Sequence, residues 1–146
     1  MAKKRLKKHE RKSIIKLTLE KRKSVSDEEE KENFVISLEH FDSTQKPAVN
    51  FKDADNQHYL YQIMDTLKGY CARPLFEQVD GKKFAIYGDF PPKDKTDFFP
   101  PNHVPEDANW ARIHITGLII IIGHIIKNTF YLVFIDPEHK FWKSER

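Results

Sequence analysis

The residues able to move protons or hold phosphate are concentrated in the most apolar third of the chain. Arg112 and His114 sit in the run 110–115, and His124 lies inside 119–126. Tyr131, Asp136, His139 and Lys140 fall in and just after 129–135. An imidazole beside a phenol suits proton transfer, and guanidinium or ammonium groups suit a phosphate. A sheet built only as a core needs none of them. The same imidazole and phenol also serve as a satisfied buried pair, so their placement decides between the two readings.

The elements that must carry these residues read as three consecutive antiparallel strands, about 111–116, 119–126 and 129–135, with turns at Gly117 and Lys127-Asn128. Side chains alternate faces along a strand. A two-residue turn at Lys127-Asn128 pairs Ile126 with Thr129 and sets His124 opposite Tyr131. The preceding hairpin leaves two choices. A two-residue turn around Gly117 puts Arg112 and His114 on the face away from His124. A longer turn pairs His114 with Ile120 and brings all four polar residues to one face.

Upstream, a short β-type run covers 34–38, and the spacing of Tyr59, Leu60, Ile63, Met64 and Leu67 predicts a helix over about 54–69. Asp53 or Asp55 is expected to cap it, with Gly69 at its end. Residues 71–80 are expected to add a second short helical piece. A strand follows at 84–87 after the turn Gly81-Lys82-Lys83. Residues 88–107, rich in Pro, Asp and Lys, are expected to form a long loop. The expected fold is α+β: a small antiparallel sheet, the C-terminal three-strand meander, packed against one or two helices.

Charge divides the chain. Residues 1–23 hold eleven Lys/Arg against two Glu, and 27–32 then carry Asp27, Glu28, Glu29, Glu30 and Glu32. Residues 1–32 are therefore expected to be a basic then acidic arm, partly helical or disordered, and 33–146 a single α+β domain. The basic stretch, with Lys3, Lys4, Arg5, Lys7, Lys8, Arg11 and Lys12, is a candidate footprint for RNA, and equally a solvated tail. At the other end, Lys140, Trp142 and Lys143 combine charge with an aromatic plane, which suits phosphate and stacked bases. Alternatively Phe141 and Trp142 fold back to cap the sheet.

Several chemistries are disfavoured. A single cysteine, Cys71, forms no internal disulfide and suits a reducing cytoplasm. His103, His114, His124 and His139 show no metal-binding spacing, so a metal would need tertiary convergence; none is expected. There is no Gly-rich phosphate loop and no nucleophile elbow, and no cofactor is expected. The basic N-terminus lacks an apolar h-region, and the longest apolar run is too short to span a bilayer, so neither a signal peptide nor a membrane partner is expected.

The run Gly123-His124, then Asn128-Thr129-Phe130-Tyr131-Leu132-Val133-Phe134-Ile135-Asp136-Pro137-Glu138-His139-Lys140-Phe141, resembles the C-terminal pattern of a group of small uncharacterised proteins encoded on mobile elements. The likeness covers about 110–142. The order of elements is also similar to the RelE/ParE toxin superfold, many members of which are ribosome-dependent, metal-independent endoribonucleases. That resemblance implies a RelE-like sheet and cleavage of mRNA, with Arg112, His124, Tyr131 and His139 as catalytic candidates and Lys140 on phosphate. It also implies a cytoplasmic protein with an antitoxin or operon partner. The alternative is a non-catalytic RNA- or protein-binding module of a mobile-element or phage-defence operon.

Overall fold

Branched and aromatic residues dominate 110–136, and these runs form the centre of the sheet. The computed structural model describes residues 32–143. The basic arm falls outside the described residues. In chain order the elements are β1 (Val35–Ser37), α1 (Phe51–Asn56), α2 (Leu60–Tyr70), β2 (Phe84–Gly88), β3 (Trp110–Thr116), β4 (Ile119–Ile126) and β5 (Thr129–Asp136). Short 3-10 turns lie at Phe76–Gln78 and Lys93–Lys95.

The expected meander, β3-β4-β5, is present, but it is the centre of a wider sheet of order β1-β5-β4-β3-β2. This corrects the expectation of a purely antiparallel sheet. β2 adds antiparallel to β3, whereas β1 runs parallel to β5, with Val35 beside Thr129 and Ser37 beside Tyr131. A parallel pair needs a long crossover, and here the helices and three intervening strands supply it.

The single helix expected over 54–69 is two. Asn50 Oδ1 accepts from the Asp53 amide at 2.8 Å and starts α1 there, ahead of Asp53 or Asp55. His58 then takes a left-handed φ of 65°, which ends α1 and redirects the chain into α2. Gly69 does not end α2, which continues to Tyr70 with Cys71 at its C-cap. The helical piece expected over 71–80 shrinks to the 3-10 turn at Phe76–Gln78.

Both hairpins carry a device that fixes register. Lys127 adopts φ 56° in the two-residue β4–β5 turn, and Ile126 pairs with Thr129. Farther along, Ile122 opposes Phe134 while Gly123 opposes Leu132, which leaves Val133 as a bulge. Val133 and Phe134 consequently both enter the same apolar cluster, although they are consecutive. In the β3–β4 hairpin Gly117 (φ 54°) turns the chain and Thr116 pairs with Ile119. An irregularity between His114 and Thr116 then brings His114 opposite Ile120.

Each face of the sheet is covered. Ile63 and Leu67 of α2 pack with Phe34, Phe84, Ile113, Ile121, Phe130 and Leu132 on one side. The other face, with Trp110, Ile120, Ile122 and Phe134, is covered by the Pro-rich loop through Phe98 and Val104 and by the C-terminal Phe141. Asp136 secures that last segment. Its buried carboxylate accepts from the amides of Glu138, Lys140 and Phe141. Burial raises the Asp136 carboxyl above the ordinary value, and these amides, with His139, partly offset that.

Candidate functional site

His124 reaches its place through the β4–β5 register. It pairs with Trp110 on β3 and with Tyr131 on β5, on the sheet face covered by the Pro-rich loop. The His124 and Tyr131 rings lie nearly parallel, 9° apart, with centroids separated by 4.8 Å. The neighbouring Gly123 makes this pairing tight. A Cβ there would stand 2.2 Å from the Tyr131 carbonyl oxygen and 2.7 Å from the Phe130 ring.

A third ring joins from the far end of the sequence. After β1 the chain turns at Leu38–Phe41, and the Asp42 amide donates to the Val133 carbonyl at 2.8 Å, at the bulge. His40 is thereby laid against both rings, with centroids 5.1 Å from His124 and 4.8 Å from Tyr131. His40 Nδ1 and His124 Nε2 are 2.9 Å apart and share a hydrogen. His103, from the Pro-rich loop, closes the group: its Nε2 donates to the His40 carbonyl at 2.8 Å.

Burial assigns the charge state of the central ring. His124 has no exposed surface. Burial, then the proximity of His40 and His103, lowers its pKa to about 4, so it is neutral near pH 7. Its Nδ1 is buried without a partner. A buried N–H left unpaired is rarer in proteins than an unpaired acceptor. His124 therefore keeps its hydrogen on Nε2 and donates it to His40 Nδ1, so neutral His40 carries its own hydrogen on Nε2. His103 is fixed by a simpler rule. A carbonyl only accepts, so His103 Nε2 is the N–H, and in the neutral ring Nδ1 holds the lone pair. The group thus offers one N–H donor, on His40, and one proton acceptor, on His103. His103 is exposed and His40 half-buried.

The other sequence candidates lie elsewhere. Arg112 and His114 share the His124 face, because His114 pairs with Ile120 and Arg112 with Ile122. Arg112, however, donates to the Lys82 carbonyl, and His114 Nε2 bonds to the Gly117 carbonyl, both away from the His40 group. His139 lies past the end of β5 at Asp136, which is itself five residues and roughly 16 Å along the strand from Tyr131. Lys140 lends its amide to Asp136, and its carbonyl accepts from the Asp97 amide. Trp142 stacks on Tyr87 at 5.1 Å, Lys143 bonds Asp97 at 2.8 Å, and Phe141 is fully buried. The C-terminal tail is thus folded back onto the sheet. Lys3, Lys4, Arg5, Lys7, Lys8, Arg11 and Lys12 lie outside the described residues. An open hollow of about 650 Å³ beside Pro137 and Glu138 holds Lys46, Asp53 and Tyr59, with no histidine pair.

His40 is the residue that sequence reasoning misses. It lies 84 positions from His124, and only the parallel β1–β5 pairing brings them together. The one sequence sign is a histidine two residues after the β-type run at 34–38. By sequence His103 is a candidate only for a metal, and nothing in its spacing ties it to His40 or His124. Among the described residues, no group of three His, Cys, Asp or Glu side chains has an arrangement that could hold a metal ion. No helix among them is long and apolar enough to cross a membrane. Comparison with protein-family models, with curated proteins and with solved structures finds no match to this chain.

Proposed function

We propose that this chain is a RelE-like toxin, a metal-independent endoribonuclease that acts on mRNA at the ribosome, in the cytoplasm, and is held in check by an antitoxin. The observation that carries the reading is the His40–His124 hydrogen bond, with His103 of the Pro-rich loop bonded to the His40 carbonyl. It holds His40 against the sheet, with the His103 ring of the Pro-rich loop 5.8 Å away, so that a proton acceptor and an N–H donor lie side by side at the surface. RNA cleavage without a metal asks for such a pair. The order of elements, one strand, two helices and then four strands, is what supports RelE-likeness.

In this mechanism His103 Nδ1 takes the proton of a ribose 2′-hydroxyl. The freed oxygen attacks the adjacent phosphorus, and the bond to the 5′ oxygen breaks with its electron pair passing to that oxygen, which takes a proton from water. The products are a 2′,3′-cyclic phosphate and a 5′-hydroxyl end. His40 Nε2–H donates to a non-bridging phosphoryl oxygen and stabilises the charge that builds there. His124, fully buried, touches no substrate and is a positioning residue that fixes the tautomer of His40. Tyr131 holds both rings in plane.

Inducible expression in a bacterial host tests this, with growth and RNA 5′ ends read together for wild type, His40→Ala, His103→Ala and His139→Ala. Growth arrest with new 5′ ends inside translated mRNAs is expected for wild type and His139→Ala. Both are expected to vanish in His40→Ala and His103→Ala at unchanged protein level. The purified protein should cleave RNA in excess chelator. Healthy growth without new ends in wild type would remove the toxin reading. The second reading, a binding module, is favoured by one feature: Leu38 and Met64 are exposed on either side of an apolar groove of about 200 Å³ between β1 and α2. That surface fits a partner protein, and under the first reading it fits the antitoxin.

A further inference from the structure

Next to His103 lies a hollow of about 420 Å³, lined among others by Phe41, Ser43, Thr44, Phe99, Asn102 and His103. One of its walls is unusual. Phe99 is 65% exposed, yet its backbone is held by a buried side chain. Gln45, 5% exposed, donates from Nε2 to the Phe99 carbonyl at 2.8 Å and accepts on Oε1 from the Phe99 amide at 2.9 Å. Both hydrogen-bonding groups of one loop residue are thus satisfied by one side chain.

The clamp is tied back to the sheet. Gln45 Nε2 also meets Asp42 Oδ2 at 3.2 Å, and the Asp42 amide donates to Val133 of β5. Burial alone would raise the Asp42 carboxyl. The Thr44 hydroxyl and amide, Gln45 and His103 outweigh it and hold the carboxyl below its ordinary value. Asp42 therefore stays an ionised acceptor that orients Gln45. The preceding residue, Phe98, is buried in the core, so the pair Phe98-Phe99 sends one ring in and leaves one out. Core packing does not account for a solvent-facing phenyl ring on a backbone held at both its amide and its carbonyl.

No Lys or Arg lines the hollow, so it is not built for phosphate. The hollow also holds the Asp42 carboxylate, whose Oδ1 takes the Thr44 hydroxyl at 2.6 Å and whose Oδ2 takes Gln45. An exposed aromatic plane, the Asn102 amide, the Ser43 hydroxyl and an acceptor carboxylate, with no cation, match a flat, uncharged ligand that carries hydrogen-bond donors. We propose that this hollow is a base-recognition subsite: one unpaired RNA base stacks on Phe99 and presents its edge to Asn102 and Ser43. The inference rests on the ribonuclease reading and names what places the scissile phosphate. A base seated there sets its own ribose next to His103, the proton acceptor of the mechanism.

The test measures binding and cleavage of single-stranded homopolymer oligoribonucleotides of each base by the full chain, with Phe99→Ala, Phe99→Tyr and His40→Ala alongside. Loss of one stacked base is expected to weaken binding and raise KM about ten-fold in Phe99→Ala. Because the seated base places the ribose against His103, kcat should fall as well, preference among the four bases should flatten, and Phe99→Tyr should restore binding, rate and preference. Phe99 is exposed, so none of this requires a change in folding, which circular dichroism and Tm would check. Unchanged binding and preference in Phe99→Ala, with wild type still cleaving and His40→Ala inactive, would overturn the subsite and leave the nuclease standing. Binding that depends on Phe99 without any cleavage by wild type would overturn the nuclease and keep the subsite. Neither binding nor cleavage would overturn both.

Discussion

His124 is the residue whose chemistry follows most directly from where it sits. Its pKa of about 4 lies below the ordinary histidine value of 6.5, and burial is the first cause. The sign follows from linkage. The unfolded chain binds a proton at His124 near pH 6.5, and the folded one does not until about pH 4. The unfolded state therefore gains as pH falls through that window. The stability that the neutral ring contributes is complete above pH 6.5 and is lost on going down to pH 4, by up to roughly 3 kcal/mol. Replacing His124 with Phe keeps an aromatic ring against Tyr131 and removes the titration. Urea unfolding at pH 7.5 and pH 4.5 should show wild type losing about 2.5 kcal/mol more than His124→Phe. Equal losses in the two proteins would mean that His124 is already protonated in the folded state. Half of this residue's setting is legible in the sequence, because Lys127-Asn128 specifies the turn that places His124 opposite Tyr131. The other half is not. His40 arrives through a tertiary pairing 84 residues away, and no local pattern encodes it.

At the scale of elements, the β4–β5 hairpin is the part on which the site depends. Gly123 lies where the two strands approach most closely, and the Val133 bulge next to it releases the carbonyl that captures Asp42. Gly123→Ala would push a methyl to 2.2 Å from a backbone oxygen that cannot rotate away. The expected cost is about 3 kcal/mol, above the usual range for one added methyl because backbone must move. Chemical denaturation would measure it, and the amide signals of His40 and Asp42 should shift with it. A cost under about 1 kcal/mol would mean that the strands separate freely there and do not fix His40. The hairpin itself could be read from alternation and turn residues. The bulge could not, since Leu132-Val133-Phe134 is uniformly apolar and gives no sign of which residue is extra. The parallel β1 was equally hidden: three residues at a sheet edge carry too little pattern to say which neighbour they join, or in which direction. The break at His58 is not legible because the apolar spacing runs across it, and only the Asn50 cap marks α1 as a separate helix.

For the molecule as a whole, charge and site lie in different places. Residues 33–146 carry thirteen Lys/Arg against fifteen Asp/Glu, a net −2, whereas residues 1–23 carry +9. A domain of slightly negative charge does not by itself concentrate a polyanion around His40 and His103. On the nuclease reading the arm is what supplies attraction, and the domain supplies chemistry and base choice. Cations that sit on phosphates release counterions, so log Kd varies with log salt in proportion to their number. Removing residues 1–23 should therefore weaken binding to single-stranded RNA at low salt. It should also flatten the salt dependence, by up to about 8 in slope if every one of the eleven cations meets a phosphate. Cleavage of a short oligonucleotide at saturating concentration should change little, because His40, His103 and Phe99 lie outside the deleted segment. A titration of labelled RNA from 50 to 300 mM salt, for both lengths of the protein, would measure the difference. An unchanged slope would mean that the arm does not contact RNA, and that its eleven charges serve a partner protein instead.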